Sequence, residues 1–142
     1  MLISHSKKFI FIHIYKVAGT SISKALGPYC QYSSAVRNPI TKLKFKLGMY
    51  PRIFINDFPG HITAVELKNR IDPKIFDRYF KFAFVRNPWD WQVSLYHYAL
   101  QDPDHHQHEL TKSFGSFDKY LQWRVEEDLH LQKNFVYDSN GK

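Results

Sequence analysis

The chain has 142 residues, 44% apolar and 23% charged, which suits one folded domain and excludes a disordered, collagen-like or coiled-coil chain. Its single cysteine, Cys30, excludes an intrachain disulfide and a cysteine-cluster zinc site. Lys+Arg 20 against Asp+Glu 13 leaves a net charge of +7, which favours an anionic partner (a nucleotide, an acidic or sulfated glycan, nucleic acid or a membrane surface) without choosing among them.

The first predicted element is Phe9 to Tyr15, a run of β-branched and aromatic residues without alternation. That pattern suits a strand buried on both faces, hence a parallel sheet under helices. His13 interrupts the run, which is far short of the ~20 apolar residues of a membrane helix. Lys7 and Lys8 precede it as in a signal peptide, but no small-residue cleavage site follows. A cytoplasmic protein is expected, or a soluble piece of a larger, membrane-anchored one. His13 itself is expected as a satisfied core residue.

Lys16 to Ser21 form a small-residue turn, and Ser21 to Leu26 a short helix stopped by Gly27 and Pro28. Lys42 to Leu47 alternates with period two, like an edge strand. Its Lys42, Lys44 and Lys46 form either a solvated edge or a track for an acidic acceptor. Asn56 to Gly60 is turn-rich. Thr63 and Glu66 have capping-box spacing, so a helix is expected from there to about Ile71, and Asp72-Pro73 starts another. Phe80 to Arg86 reads as a second apolar strand. Asn87-Pro88 then looks like an N-cap and first helical position. Trp89, Val93, Tyr96 and Leu100 share one face of the helix, which Asp102-Pro103 ends. Trp89 and Trp91 are expected in the core. Residues 103–115 read as a polar loop in which His105, His106 and His108 are solvated rather than metal-bound. Ser116 can cap a last helix to about Glu127, and Phe135 to Gly141 reads as a strand entering a hairpin turn.

Two strand–turn–helix units stand out. In the first, a buried strand feeds Lys16-Val-Ala-Gly19-Thr20-Ser21. Free N–H groups at a helix start form an anion site, Gly19 lets backbone approach a phosphate, and Thr20, Ser21 and Lys16 add donors and a cation. The lysine precedes the glycine by three residues, unlike a Walker A loop. The plainer alternative is an ordinary β–α turn with a surface lysine. In the second unit, Arg86 ends a strand and Ser94 lies about 9 Å along the next helix from Pro88. Both can meet one anion, or Arg86 can simply pair with Asp90. Ligands of open α/β sheets collect at the carboxyl ends of parallel strands, so two anion sites there suggest one ligand with two phosphate-like groups.

Lys16-Val-Ala-Gly-Thr-Ser21 resembles the 5′-phosphosulfate loop of the sulfotransferases, and Val85-Arg-Asn-Pro-Trp-Asp-Trp-Gln-Val-Ser94 resembles their 3′-phosphate motif. Gly60-His61-Ile-Thr-Ala is similar to the segment carrying the catalytic base in the family 2, carbohydrate-type branch. The resemblance covers roughly residues 8–100. It implies an α/β, P-loop-like three-layer fold with a central parallel sheet flanked by helices. It also implies 3′-phosphoadenosine 5′-phosphosulfate (PAPS) as donor and a carbohydrate hydroxyl as acceptor. Lys16, Ala18, Gly19, Thr20 and Ser21 would then hold the 5′-phosphosulfate, and Arg86 and Ser94 the 3′-phosphate. His61 would be the base and Lys16 the cation balancing charge on the leaving phosphate. For His61 the plainer alternative is a turn or capping histidine.

This scheme calls for no metal and no nucleic acid. The rivals are a P-loop-type nucleotide kinase or hydrolase and a non-catalytic nucleotide- or polyanion-binding module. The kinase needs an acidic magnesium ligand after a second strand, where this chain has Arg86. Family members usually continue past the position of Gly141. Residues 1–142 are therefore expected to form a single sulfotransferase-like domain, incomplete at its C-terminal end.

Overall fold

The computed structural model describes residues 1–30, 58 and 60–137. The expected strand and basic stripe at Lys42 to Leu47 lie outside the described residues, as do most of the turn at 56–60 and the tail after Tyr137. The chain divides into two compact units, one of Met1–Phe84 with Lys133–Lys142, the other of Val85–Gln132.

The first unit holds a mixed three-stranded sheet in the order β1 (Leu2–Ser4), β2 (Phe9–Ile12) and β3 (Phe80–Ala83). β2 and β3 run parallel, with Phe9 opposite Phe80 and Ile12 opposite Ala83. β1 pairs antiparallel with β2, so the parallel pair expected from the sequence carries an antiparallel edge strand. The short hairpin turns at Lys8, whose φ of 54° lies in the left-handed region. β2 lies in the middle and is the apolar run seen in the sequence: Ile10, Phe11 and Ile12 are all buried, and Ile14 continues the inward pattern past its end.

Helix α1 (Gly19–Leu26) follows β2 and ends in a 3-10 turn at Gly27–Tyr29. Ile22 and Leu26 pack with Phe9 and Phe82 around the buried Leu2, Phe11 and Cys30. The Cys30 thiol donates to the Leu26 carbonyl at 3.3 Å, and burial raises its pKa to about 11. Ser4 is buried and its hydroxyl donates to the Tyr29 carbonyl, fastening β1 to the end of the 3-10 turn. Two short helices precede β3. α2 (Ala64–Lys68) begins with the expected capping box: Thr63 accepts from the Glu66 N–H, and Glu66 accepts from the Thr63 N–H at 3.0 Å. It ends earlier than the expected Ile71. α3 (Pro73–Arg78) starts at the Asp72 cap with Pro73 at its first position.

The second unit is helical. α4 (Pro88–Gln101) starts at the Asn87 cap, whose side chain accepts from the Trp89 N–H at 3.0 Å. Its buried residues are Trp91 and Ala99, whereas Trp89 is 71% exposed. Trp89 is therefore not a core residue. Trp91, Leu95 and Ala99 repeat at i, i+4 and i+8 just as well as the expected Trp89 series, and a helix apolar on several sides does not declare its inner face. α5 (His108–Ser113) occupies part of the stretch expected as a loop. Its His108 donates from Nδ1 to the Ala99 carbonyl at 2.8 Å, and Thr111 is buried. α6 (Phe117–Glu126) starts at the expected Ser116 cap. Tyr120 is buried against the rings of Tyr96 and Phe117. Arg124 is buried beside the rings of Tyr120 and Trp123 and is paired with Asp128. The chain then enters a 3-10 turn at Gln132–Phe135, where the sequence suggested a strand starting at Phe135.

Candidate functional site

The parallel pairing of β2 and β3 gives both strands a common carboxyl end. From that end the chain runs on to Lys16 after β2, and on to Arg86 after β3.

The turn after β2 alternates in backbone sign. Lys16 has φ 61° and Ala18 φ 62°, while Val17 between them and Gly19 after them keep negative φ. Left-handed geometry costs a non-glycine residue roughly 1–2 kcal/mol. Burial of Val17 and the first helical bond, from the Ile22 N–H to the Ala18 carbonyl at 3.1 Å, hold the turn in place. Successive residues of opposite backbone hand point their N–H groups into one concavity, a form that receives anions. Gly19, Thr20 and Ser21 precede the first intrahelical bond, and Ala18 offers no capping side chain. Thr20 and Ser21 are exposed, and Lys16 is half-buried. All five residues expected at the phosphosulfate therefore share one turn and helix start.

Gly19 has a further reason to be glycine. A Cβ built there would overlap the His13 imidazole. His13 stands one residue past β2 and is half-buried rather than part of the core. Its ring stacks on Phe11 at 5.7 Å between centroids and lies 4.7 Å from the ring of His61. Burial first, then the Met1 amine and His61, hold its pKa down to about 4.

His61 is exposed, two residues before the Thr63 cap. Its Nδ1 lies 3.2 Å from the His13 carbonyl oxygen. A carbonyl only accepts, so Nδ1 carries the proton in this contact, and in the neutral ring the lone pair falls to Nε2. Tyr15 also meets the His61 ring, edge-on at 5.7 Å, and itself rests on Phe135. Gly60, next to His61, accepts from the Met1 amine at 2.8 Å.

The second unit carries the other two expected residues. Arg86 is exposed and Ser94 half-buried, on the second turn of α4. The backbone of Arg86 is held by one side chain. Its N–H donates to Gln132 Oε1 at 2.8 Å, and its carbonyl accepts from Gln132 Nε2 at 2.8 Å. The Gln132 amide thus pairs with Arg86 as a neighbouring strand would.

His13, Tyr15 and Gln132 were not singled out as site residues. His13 and Tyr15 alternate with the buried Ile14, and that i, i+2 spacing puts them on one face of an extended chain. Gln132 left no signal, because its partner is 46 residues away. His105 accepts the Gln107 N–H on Nδ1 at 3.2 Å, and among the described residues no group of three or more His, Cys, Asp or Glu gathers as a metal site. No helix among them is long and apolar enough to cross a membrane.

A relative from Archaeoglobus fulgidus, described as an uncharacterized protein, is 31% identical over 78 residues, covering 55% of this chain and 51% of its own length. The chain spans about half the length of that curated relative. No solved structure matches it. The family model described as "Sulfotransferase family" matches residues 1–135. That span takes in the Lys16 turn, His61 and the Arg86 segment together, and the chain accordingly belongs to the sulfotransferase family.

Proposed function

We propose that the chain moves a sulfuryl group from PAPS to an acceptor hydroxyl, with a carbohydrate as the acceptor class. The observation that carries this reading is the alternating Lys16–Gly19 turn at the head of α1, whose backbone form suits an anion. In this reading Lys16, Ala18, Gly19, Thr20 and Ser21 hold the 5′-phosphosulfate, and Arg86 and Ser94 hold the 3′-phosphate. PAPS supplies an activated sulfuryl group whose S–O bond to phosphate breaks as the acceptor oxygen attacks in line.

The remaining work falls to the protein. His61 Nε2 takes the acceptor proton, and the His13 carbonyl keeps Nδ1 protonated so that this lone pair stays available. Lys16 places a cation against the charge that collects on the departing phosphate oxygen. The backbone N–H groups of the turn are fixed before the reaction, so they need no reorganisation when that charge appears.

Thermal-shift measurement with 3′,5′-adenosine bisphosphate tests the nucleotide reading. Stabilisation without magnesium supports it, whereas stabilisation by ATP only with magnesium points to a kinase. No response to either nucleotide, with salt-sensitive binding to RNA or heparin, points to a polyanion-binding module. For the chemistry, His61→Ala should lower kcat by about 10²–10⁴-fold. Its affinity for the bisphosphate should be unchanged. Lys16→Ala should lower kcat as well. Activity retained in either variant removes that residue from the mechanism.

A further inference from the structure

The His13 ring touches both halves of the proposed chemistry in the first unit. On one side it occupies the space that a side chain at position 19 would need. On the other it lies 4.7 Å from the His61 ring, and its own carbonyl fixes the His61 tautomer. Phe11 backs it at 5.7 Å, stacked at 23°, so the ring has a rigid floor from buried β2. The atoms that a Gly19 Cβ would meet are the far end of the imidazole, Nε2, Cδ2 and Cε1. A methyl group there would therefore swing the ring away before it moved any backbone.

We propose that His13 is a positioning residue: its ring is the spacer that sets where the His61 imidazole stands relative to the Lys16–Ser21 turn, and Gly19 leaves that ring its place. This rests on the proposed roles of His61 and the turn. In-line transfer needs the proton acceptor and the anion-holding turn at a fixed separation, and a misplacement of about 1 Å can cost about 100-fold in rate. A spacer between two such groups must also stay uncharged, since a cation there would oppose the proton arriving on His61. Burial, the Met1 amine and His61 keep His13 neutral at ordinary pH.

The test uses Gly19→Ala, His13→Ala, the double variant and His13→Phe, read by side-chain ¹⁵N spectra of His61 and by kcat with PAPS and a glycan acceptor. His13→Ala, which keeps the carbonyl and loses only the ring, is expected to shift the His61 ring signals and to lower kcat about 10–100-fold, with affinity for 3′,5′-adenosine bisphosphate kept. His13→Phe, which keeps a flat neutral ring, should leave the His61 ring signals close to those of the parent chain. Gly19→Ala should disturb His61 in the parent chain yet add nothing once His13 is alanine. Simple additivity of the two effects on His61 overturns the proposal. So does an unchanged His61 spectrum in His13→Ala. If Gly19→Ala does not fold, the contrast between His13→Ala and His13→Phe decides. A parent chain that transfers nothing from PAPS defeats the proposed function, while the His61 spectra still decide the spacer.

Discussion

At His13 a single imidazole is held near a pKa of about 4, against 6.5 in an unfolded chain, chiefly because folding buries it. Between those two values the unfolded chain binds a proton that the folded chain does not. Stability therefore falls as pH drops through that window. The Met1 amine, lowered by burial from 8.0 to about 6, acts with the same sign at higher pH. His13→Phe removes only the histidine's share. Its urea midpoint should fall less between pH 7.5 and pH 4.5 than that of the parent chain, and equal falls in both would refute the assignment. The sequence pointed to residues here more readily than to the reasons for them. Lys16, Gly19 and His61 were recognisable from strand–turn–helix spacing. The overlap that makes Gly19 necessary involves a histidine six positions earlier, and local pattern carries no trace of it. His13 reads as core because the apolar run continues around it to Tyr15 in the sequence, whereas β2 stops at Ile12.

At the scale of elements, Arg86 shows how a segment past a strand end can be held without a ladder. β3 stops at Ala83, short of the expected Arg86, and the Gln132 side chain supplies the two hydrogen bonds that a neighbouring strand would. If Arg86 reads the 3′-phosphate, loosening this clamp should weaken nucleotides that carry one. Gln132→Leu is expected to reduce affinity for 3′,5′-adenosine bisphosphate by roughly 10-fold, since two hydrogen bonds of about 1 kcal/mol each are lost and only part of their value bears on binding. Affinity for adenosine 5′-phosphate should stay the same. Calorimetry that shows equal losses for both nucleotides would assign Gln132 a general structural role instead. Elements with capping side chains were legible from the sequence: Thr63, Asp72, Asn87 and Ser116 all start helices where expected. α5 was not, because Gln107 does not cap it and the contact of His108 with Ala99 belongs to tertiary structure. β1 escaped for a similar reason. Three residues carry too little periodicity, and its place is set by pairing with β2.

Over the whole molecule, the family match runs through both compact units, so the motifs of the Lys16 turn and of Arg86 belong to one family pattern although they fall in different units. The expectation of an α/β chain holds in the coarse sense of helices with a small sheet, and the net charge of +7 agrees with an anionic nucleotide as partner. The one cysteine of the chain gives this division an experimental handle. Cys30 lies in the core of the unit that carries the Lys16 turn, and its thiol is kept protonated by burial. A protonated, buried thiol does not attack an alkylating reagent until the core around it opens. The labelling rate of Cys30 is thus a built-in clock for the opening of that unit alone. A ligand held by the turn should slow the clock in proportion to its occupancy, and a rate unaffected by saturating 3′,5′-adenosine bisphosphate would show that the nucleotide does not stabilise this unit.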